Sequence, residues 1–285
     1  MGTVNHVSFP KLGLDFTFCE TIKIPFLNVN IYWYAIIIAL GLFTAICIAF
    51  YEFKKHEKNS NDLIDFLLFA VPLGILGARA YYVIFEWGYY SQHPDKIIAI
   101  WEGGLAIYGG VIVGIIVAII WSKIKKIPFL WFADIATCGL FIAQSMGRWG
   151  NFINAEAFGS LTNLPWGMVV EGPFVRPTSP YGPCHPTFLY ESLWNFSGFI
   201  ISYFVIRRFT KTNGNSFAFY LIWYGMGRFF IEGLRMDSLY LIPGVVRISQ
   251  VVAVLSVLVG ISTLVFVKMA KKRKNLQVED GNVTI

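Results

Sequence analysis

Apolar residues run almost unbroken over positions 30–53, 62–85, 104–122, 128–147, 188–206, 215–234 and 246–267, and nothing else in the sequence restricts the fold so strongly. A run of about 20 apolar residues is the length at which a helix crosses the roughly 30 Å hydrocarbon layer of a bilayer. Inside lipid a backbone must satisfy its own N–H and C=O groups, and isolated segments of this length do so only as helices. The expected fold is an all-α integral membrane protein with seven transmembrane helices. Composition agrees: 14% of the residues are charged, against roughly 25% in a soluble domain. Residues 1–274 are therefore expected to form a single polytopic membrane domain with no hidden soluble domain.

Charge placement orients the helices. Lys54, Lys55, Lys58, then Lys123, Lys125, Lys126, then Arg207, Arg208, Lys211, and last Lys268, Lys271, Lys272, Arg273 and Lys274 occupy alternate connections and account for most of the 23 basic residues. The positive-inside rule makes that side cytoplasmic, which puts the N-terminus outside and the C-terminus in the cytoplasm. The net charge of +6 is thus explained by topology plus a site, and nucleic acid is not an expected partner. Residues 1–28 show no compact apolar core behind a charged start, so the first span is expected to serve as an uncleaved signal.

Outside the spans, residues 1–28 form an outer segment with strand character at Phe16–Phe18 and Thr21–Ile24, ended by Pro25. Residues 148–187 form a small outer head, expected to be irregular because it carries Pro165, Pro173, Pro177, Pro180, Pro183 and Pro186. Residues 275–285 lack apolar periodicity and are expected to be a disordered tail. Cys47 and Cys138 lie within spans, where small buried apolar roles are expected, whereas Cys19 and Cys184 both lie outside, where a disulfide is permitted. His6, His56, His93 and His185 show no metal-ligand spacing, and no glycine-rich phosphate loop follows a strand, so no metal and no cofactor is expected.

Polar residues that interrupt the apolar runs carry the function. Arg148, Asn151, Asn154 and Glu156 follow directly on the fourth span, interleaved with Gly147, Gly150 and Gly159. One residue at a time, they read as an interfacial helix end with a snorkelling arginine. Together, a guanidinium, two carboxamides and a carboxylate read as a headgroup pocket. Arg228, Glu232 and Arg235 follow at i, i+4 and i+7 and are expected on one helical face. Charges inside a span are costly and usually face the protein interior, so a structural ion pair and a site are both open readings. Arg79 adds a guanidinium to the second span. The pairs Gly103-Gly104 and Gly109-Gly110 frame Tyr108, the first permits a turn, and Gly110 with Gly114 offers a small face for helix packing. Glu191 sits one turn into the fifth span after His185 and Pro186 and is expected to face inward. A carrier for an anionic solute and a non-catalytic lipid-binding protein remain open on these residues alone.

Residues 147–159 match in full the signature Gly-Arg-x-Gly-Asn-Phe-x-Asn-x-Glu-x-x-Gly, and on it the sequence resembles the bacterial prolipoprotein diacylglyceryl transferases. The likeness extends through Tyr32-Trp33-Tyr34, Arg79, Glu102-Gly103-Gly104, Gly109-Gly110, Asp134, His185-Pro186, Tyr190-Glu191 and the Arg228 to Arg235 cluster. It implies seven spans in the bacterial cytoplasmic membrane, with the site toward the outer face. It also implies transfer of the diacylglyceryl group of phosphatidylglycerol to the lipobox cysteine of a prolipoprotein, releasing glycerol 1-phosphate. By the same resemblance Arg148 binds the headgroup, Arg228 is a second essential arginine, and Asn151, Glu156 and Gly159 are key signature positions. Tyr34 and Glu232 match further site positions, and Arg79 and Arg235 are expected to contact the lipid substrate. Many family members carry a histidine where Tyr108 stands. A phenol is a poor base at neutral pH but a good donor, so Tyr108 is expected to orient the headgroup, with Glu156 or Glu232 accepting the thiol proton.

Overall fold

The computed structural model describes residues 4–24, 29–172, 182–210, 212–242 and 244–279. The expectations for Pro25, Pro173, Pro177, Pro180, Lys211 and the last six residues of the tail lie outside them. The helices form where the apolar runs are: α1 Trp33–Lys55, α2 Ser60–Phe85, a short α3 Trp87–Tyr90, α4 Ile107–Ile124 and α5 Phe129–Ile153. After the head come α6 Thr187–Ile200, a π-helical turn Ile201–Ile206, α7 Arg207–Phe209, α8 Asn215–Leu234 and α9 Ile248–Glu279. The helices α1, α2, α4, α5 and α9 are each long and apolar enough to cross a membrane. The run from α6 to α7 and the helix α8 match the fifth and sixth expected spans in position but carry more polar residues. Helix α9 continues to Glu279, past Lys274, where the membrane domain was expected to end.

Between and before the helices, the described residues also form short strands. Strands β1 Val4–Phe9 and β2 Leu14–Cys19 pair antiparallel, and β5 Val169–Glu171 adds to β1 across a wide gap in sequence. Strands β3 Thr21–Ile24 and β4 Val29–Tyr32 form a separate hairpin, as do β6 Tyr240–Ile242 and β7 Val246–Arg247. The expected all-α fold is corrected accordingly. Alternation in β1 buries Asn5, Val7 and Phe9 on one face. Val7 and Phe9 join Phe152, Ala155, Met168, Cys184 and Phe188 in a core that seats the sheet on the end of α5 and the start of α6. Asn5 Nδ2 donates to the Ile153 carbonyl at 3.1 Å, tying the sheet to the last residue of α5.

The chain divides into two compact units, one of residues 1–48 with 133–285 and one of residues 49–132. In the first, Asp134 accepts N–H bonds from Gly214 and Phe217, each at 2.7 Å, and so caps the start of α8. In the second, α2 and α4 approach so closely that a Cβ on Gly109 would stand 2.3 Å from the Gly77 carbonyl oxygen. Of the expected small face, a Cβ on Gly110 would stand 3.4 Å from the Gly74 carbonyl oxygen, whereas Gly114 has open space where its Cβ would be. All four cysteines are free: Cys138 is buried as expected, Cys47 is exposed instead, and exposed Cys19 and buried Cys184 are not joined. Cys184 is spent on the head, donating its S–H to the Met168 carbonyl, and burial pushes its thiol up to about 12.

Candidate active site

Three helix ends supply the charged groups, and the spacing along each explains why they converge. Arg148 and Asn151 lie one turn apart near the end of α5, Glu191 lies in the second turn of α6, and Arg228 and Glu232 lie one turn apart near the end of α8. Both carboxylates are almost wholly buried, Glu191 at 5% and Glu232 at 1% exposure. A buried carboxylate is tolerated only when paired, and Glu191 is paired twice. Its Oε2 meets Arg148 Nε, and its Oε1 accepts from Arg228 Nη1 at 2.5 Å. The other guanidinium nitrogen of Arg228 reaches Glu232 Oε2 at 2.6 Å.

The chain of contacts continues outward from Arg148, whose Nη1 donates to Asn151 Oδ1 at 3.1 Å. Asn151 Nδ2 donates to Glu156 Oε1 at 2.8 Å, and Asn154 Nδ2 reaches the same oxygen at 3.4 Å. Glu232, Arg228, Glu191, Arg148, Asn151 and Glu156 thus form one continuous network that runs from a buried carboxylate to an exposed one. Its charges nearly cancel, yet each guanidinium carries five donors, more than its carboxylate partner takes up. Such a fork suits a phosphate.

The backbone around this network is held tightly. Ala155 and Ala157 adopt φ of 52° and 58°, the left-handed region that side chains other than glycine enter at a cost of about 1 kcal/mol. Thr187 Oγ1 holds the Ala157 carbonyl, and Gly159 N donates to the His185 carbonyl at 2.9 Å. A Cβ on Gly159 would stand 2.7 Å from His185 Cβ and 3.1 Å from the Leu234 carbonyl oxygen, so glycine is required there by close packing. Tyr34, in the first turn of α1, lays its ring on Gly150, where a Cβ would stand 2.4 Å from the ring.

Several expected roles look different in three dimensions. Arg235 does not share the helical face of Arg228 and Glu232: it caps α8 in extended conformation and pairs with Asp237 through bonds of 2.9 and 2.7 Å. Burial opposes ionisation of Asp237, and the bonds from Arg235 outweigh it, holding that carboxyl below its ordinary range. Arg79, in the unit of residues 49–132, is also occupied. It donates to the carbonyls of Lys96, Ile97, Gly103 and Gly104 at 2.6 to 3.0 Å and lies over the Tyr90 ring. Gly103 and Gly104 adopt φ of 90° and 67°, the turn their pairing permits. Tyr108 opens α4 in the same unit, partly exposed, with its ring 6.5 Å from that of Tyr81. Glu191, joint partner of Arg148 and Arg228, was not among the site residues expected from sequence. Its signal was a lone carboxylate in an apolar helix.

Apolar helices of membrane-crossing length and a buried network of arginines and carboxylates at helix ends define an integral membrane protein with a site suited to an anionic group. Residues 21–266 match the family described as Prolipoprotein diacylglyceryl transferase, and the chain belongs to that family. A relative from Streptococcus agalactiae is 48% identical over 246 residues, covering 83% of this chain and 91% of its own. Another from Lactococcus lactis is 45% identical over 267 residues, with 87% and 98% covered. A third, from Clostridioides difficile, is 43% identical over 256 residues, with 90% and 98% covered. All three are named phosphatidylglycerol-prolipoprotein diacylglyceryl transferase.

Proposed function

We infer that this chain is an enzyme that transfers the diacylglyceryl group of phosphatidylglycerol to the lipobox cysteine thiol of prolipoproteins, the first step of lipoprotein maturation. The observation that carries the reading is the double pairing of Glu191, which fixes Arg148 and Arg228 side by side in a chain of this family. In the reaction the cysteine sulfur attacks the glyceryl carbon that bears the phosphate. A C–S bond forms, the C–O bond breaks with its electron pair on oxygen, and glycerol 1-phosphate leaves. Arg148 and Arg228 supply fixed positive charge to the phosphate as the leaving charge develops. The thiol, with an ordinary pKa of about 8.5, must lose its proton. Glu156 fits that task better than Glu232, because Glu156 is exposed and held by two carboxamides while Glu232 is buried against Arg228.

Asn151 orients both Arg148 and Glu156, and Tyr34 and Gly159 support the site backbone. The occupied donors of Arg79 and Arg235 favour positioning roles for these two, on the connection 96–104 and on the Gly159 strand bridge. We place seven spans in the bacterial cytoplasmic membrane, counting α6 to α7 and α8 with the five apolar helices. The basic connections then face the cytoplasm and the site faces outward.

The test uses purified protein in detergent with phosphatidylglycerol and a lipobox peptide, following peptide mass and glycerol phosphate release. The wild type adds a diacylglyceryl mass, Arg148→Ala does not, and Glu156→Gln loses the rise in rate with pH. Bound lipid with neither product would refute the transferase reading.

A further inference from the structure

One helical turn farther into the bundle from the paired arginines lies a second polar layer that the transfer chemistry leaves unused. Arg148 meets Glu191 and Ser145 meets Ser192 across α5 and α6, so the antiparallel register of these helices sets Gln144 level with Asn195. Gln144 precedes Arg148 by four residues and Asn195 follows Glu191 by four, which places both about 6 Å deeper on the same helical faces. Gln144 Nε2 donates to the Tyr220 hydroxyl at 2.9 Å, which joins α8 to the layer. Asn195 is 2% exposed. Its Oδ1 and the Gln144 Oε1 are both buried, and neither has a hydrogen-bond partner among the described residues. The neighbouring hydroxyls of Ser145 and Ser192 satisfy each other and the helix carbonyls.

A buried carbonyl oxygen without a partner keeps the full cost of its lost hydration, and two at one level beneath an anion site make acceptors for a ligand that brings donors. A phosphate brings none once ionised. A polyol attached to it does. The acceptors are uncharged, so they do not repel a departing glycerol phosphate as carboxylates would. An ammonium headgroup in the same place would instead lie against Arg148 and Arg228 and be repelled.

We propose that Asn195 and Gln144 form a specificity subsite that accepts hydrogen bonds from the hydroxyls of the glycerol headgroup while Arg148 and Arg228 hold its phosphate. The proposal rests on the transfer function inferred above but is testable without turnover. Dissociation constants of glycerol 1-phosphate and n-propyl phosphate, which share charge and length and differ in hydroxyls, are measured on the full-length protein in detergent by ligand-induced thermal stabilisation.

The wild type binds glycerol 1-phosphate about tenfold tighter, since a site built to pair hydroxyls rejects the analogue lacking them. Asn195→Leu brings the ratio toward one, chiefly by weakening glycerol 1-phosphate. Gln144→Leu does the same and serves if the first variant fails to fold. A ratio near one in the wild type, or a ratio unchanged in the folded variants, overturns the subsite. Transfer from dioleoyl-phosphatidylglycerol and dioleoyl-phosphatidylpropanol in the same preparations reads the inferred reaction separately. Discrimination between the two phosphates without transfer would sustain the subsite and refute the reaction.

Discussion

Replacing Glu191 by glutamine tests the organisation of the site most directly, because it changes one charge and almost no volume. Glu191 neutralises half of each of two guanidiniums, and its loss turns a balanced cluster of Arg148, Arg228, Glu191 and Glu232 into one with a net positive charge. Breaking a buried pair by removing one partner costs about 3–5 kcal/mol. A close pair at an effective dielectric of about 20 is worth a similar amount, roughly 4 kcal/mol. The glutamine oxygen accepts from one arginine only, and its amide group then faces the other, donor against donor.

The geometry of the arginines is therefore lost while their charge remains. In steady-state transfer with phosphatidylglycerol and a lipobox peptide, kcat should fall by about a hundredfold or more, the equivalent of 3 kcal/mol. KM for the anionic lipid should hold steady or drop, since the unbalanced positive charge still attracts phosphate. Glu191→Asp should recover part of the rate. A variant with wild-type kcat and raised KM would refute the reasoning, because it would make Glu191 a binding group and leave the arginines positioned by something else.

Three further outcomes follow from the packing. Gly109→Ala should destabilise the α2 to α4 contact by about 1–3 kcal/mol, because its Cβ would overlap the Gly77 carbonyl; an unchanged Tm would contradict that approach. Arg79→Lys keeps the charge but loses the fork that reaches four carbonyls, and should lower stability by about 3 kcal/mol and open residues 96–104 to protease; resistance equal to wild type would mean the clamp is dispensable. At pH 8 in the native state N-ethylmaleimide should modify exposed Cys19 and leave Cys184 untouched until the protein is unfolded. The folded Cys184 thiol holds its proton up to about 12 while the unfolded one releases it near 8.5, so its contribution to stability should decline as pH rises above that point, and modification of native Cys184 at pH 8 would refute the assignment.

The helices were legible in the sequence because lipid admits so few alternatives. Apolar runs of fixed length had to become helices, and the ends of α2, α4 and α8 fall within a few residues of the boundaries their composition marks. The pairing of Arg228 with Glu232 was legible for a similar reason, since residues one helical turn apart are neighbours in any helix. The strand character of residues 16–18 and 21–24 was also visible, but not the pairing of β1 with β5. A strand of residues 169–171 reaches it only through the folded chain, and no local pattern encodes that distance. The same limit hid the centre of the site. Sequence displays Arg148, Glu191 and Arg228 on three separate helices, and each could have faced a different neighbour. Packing of α5, α6 and α8 decided that one buried carboxylate serves both arginines, because only a tertiary arrangement fixes which faces of different helices meet, and desolvation then leaves the charges no partners but one another.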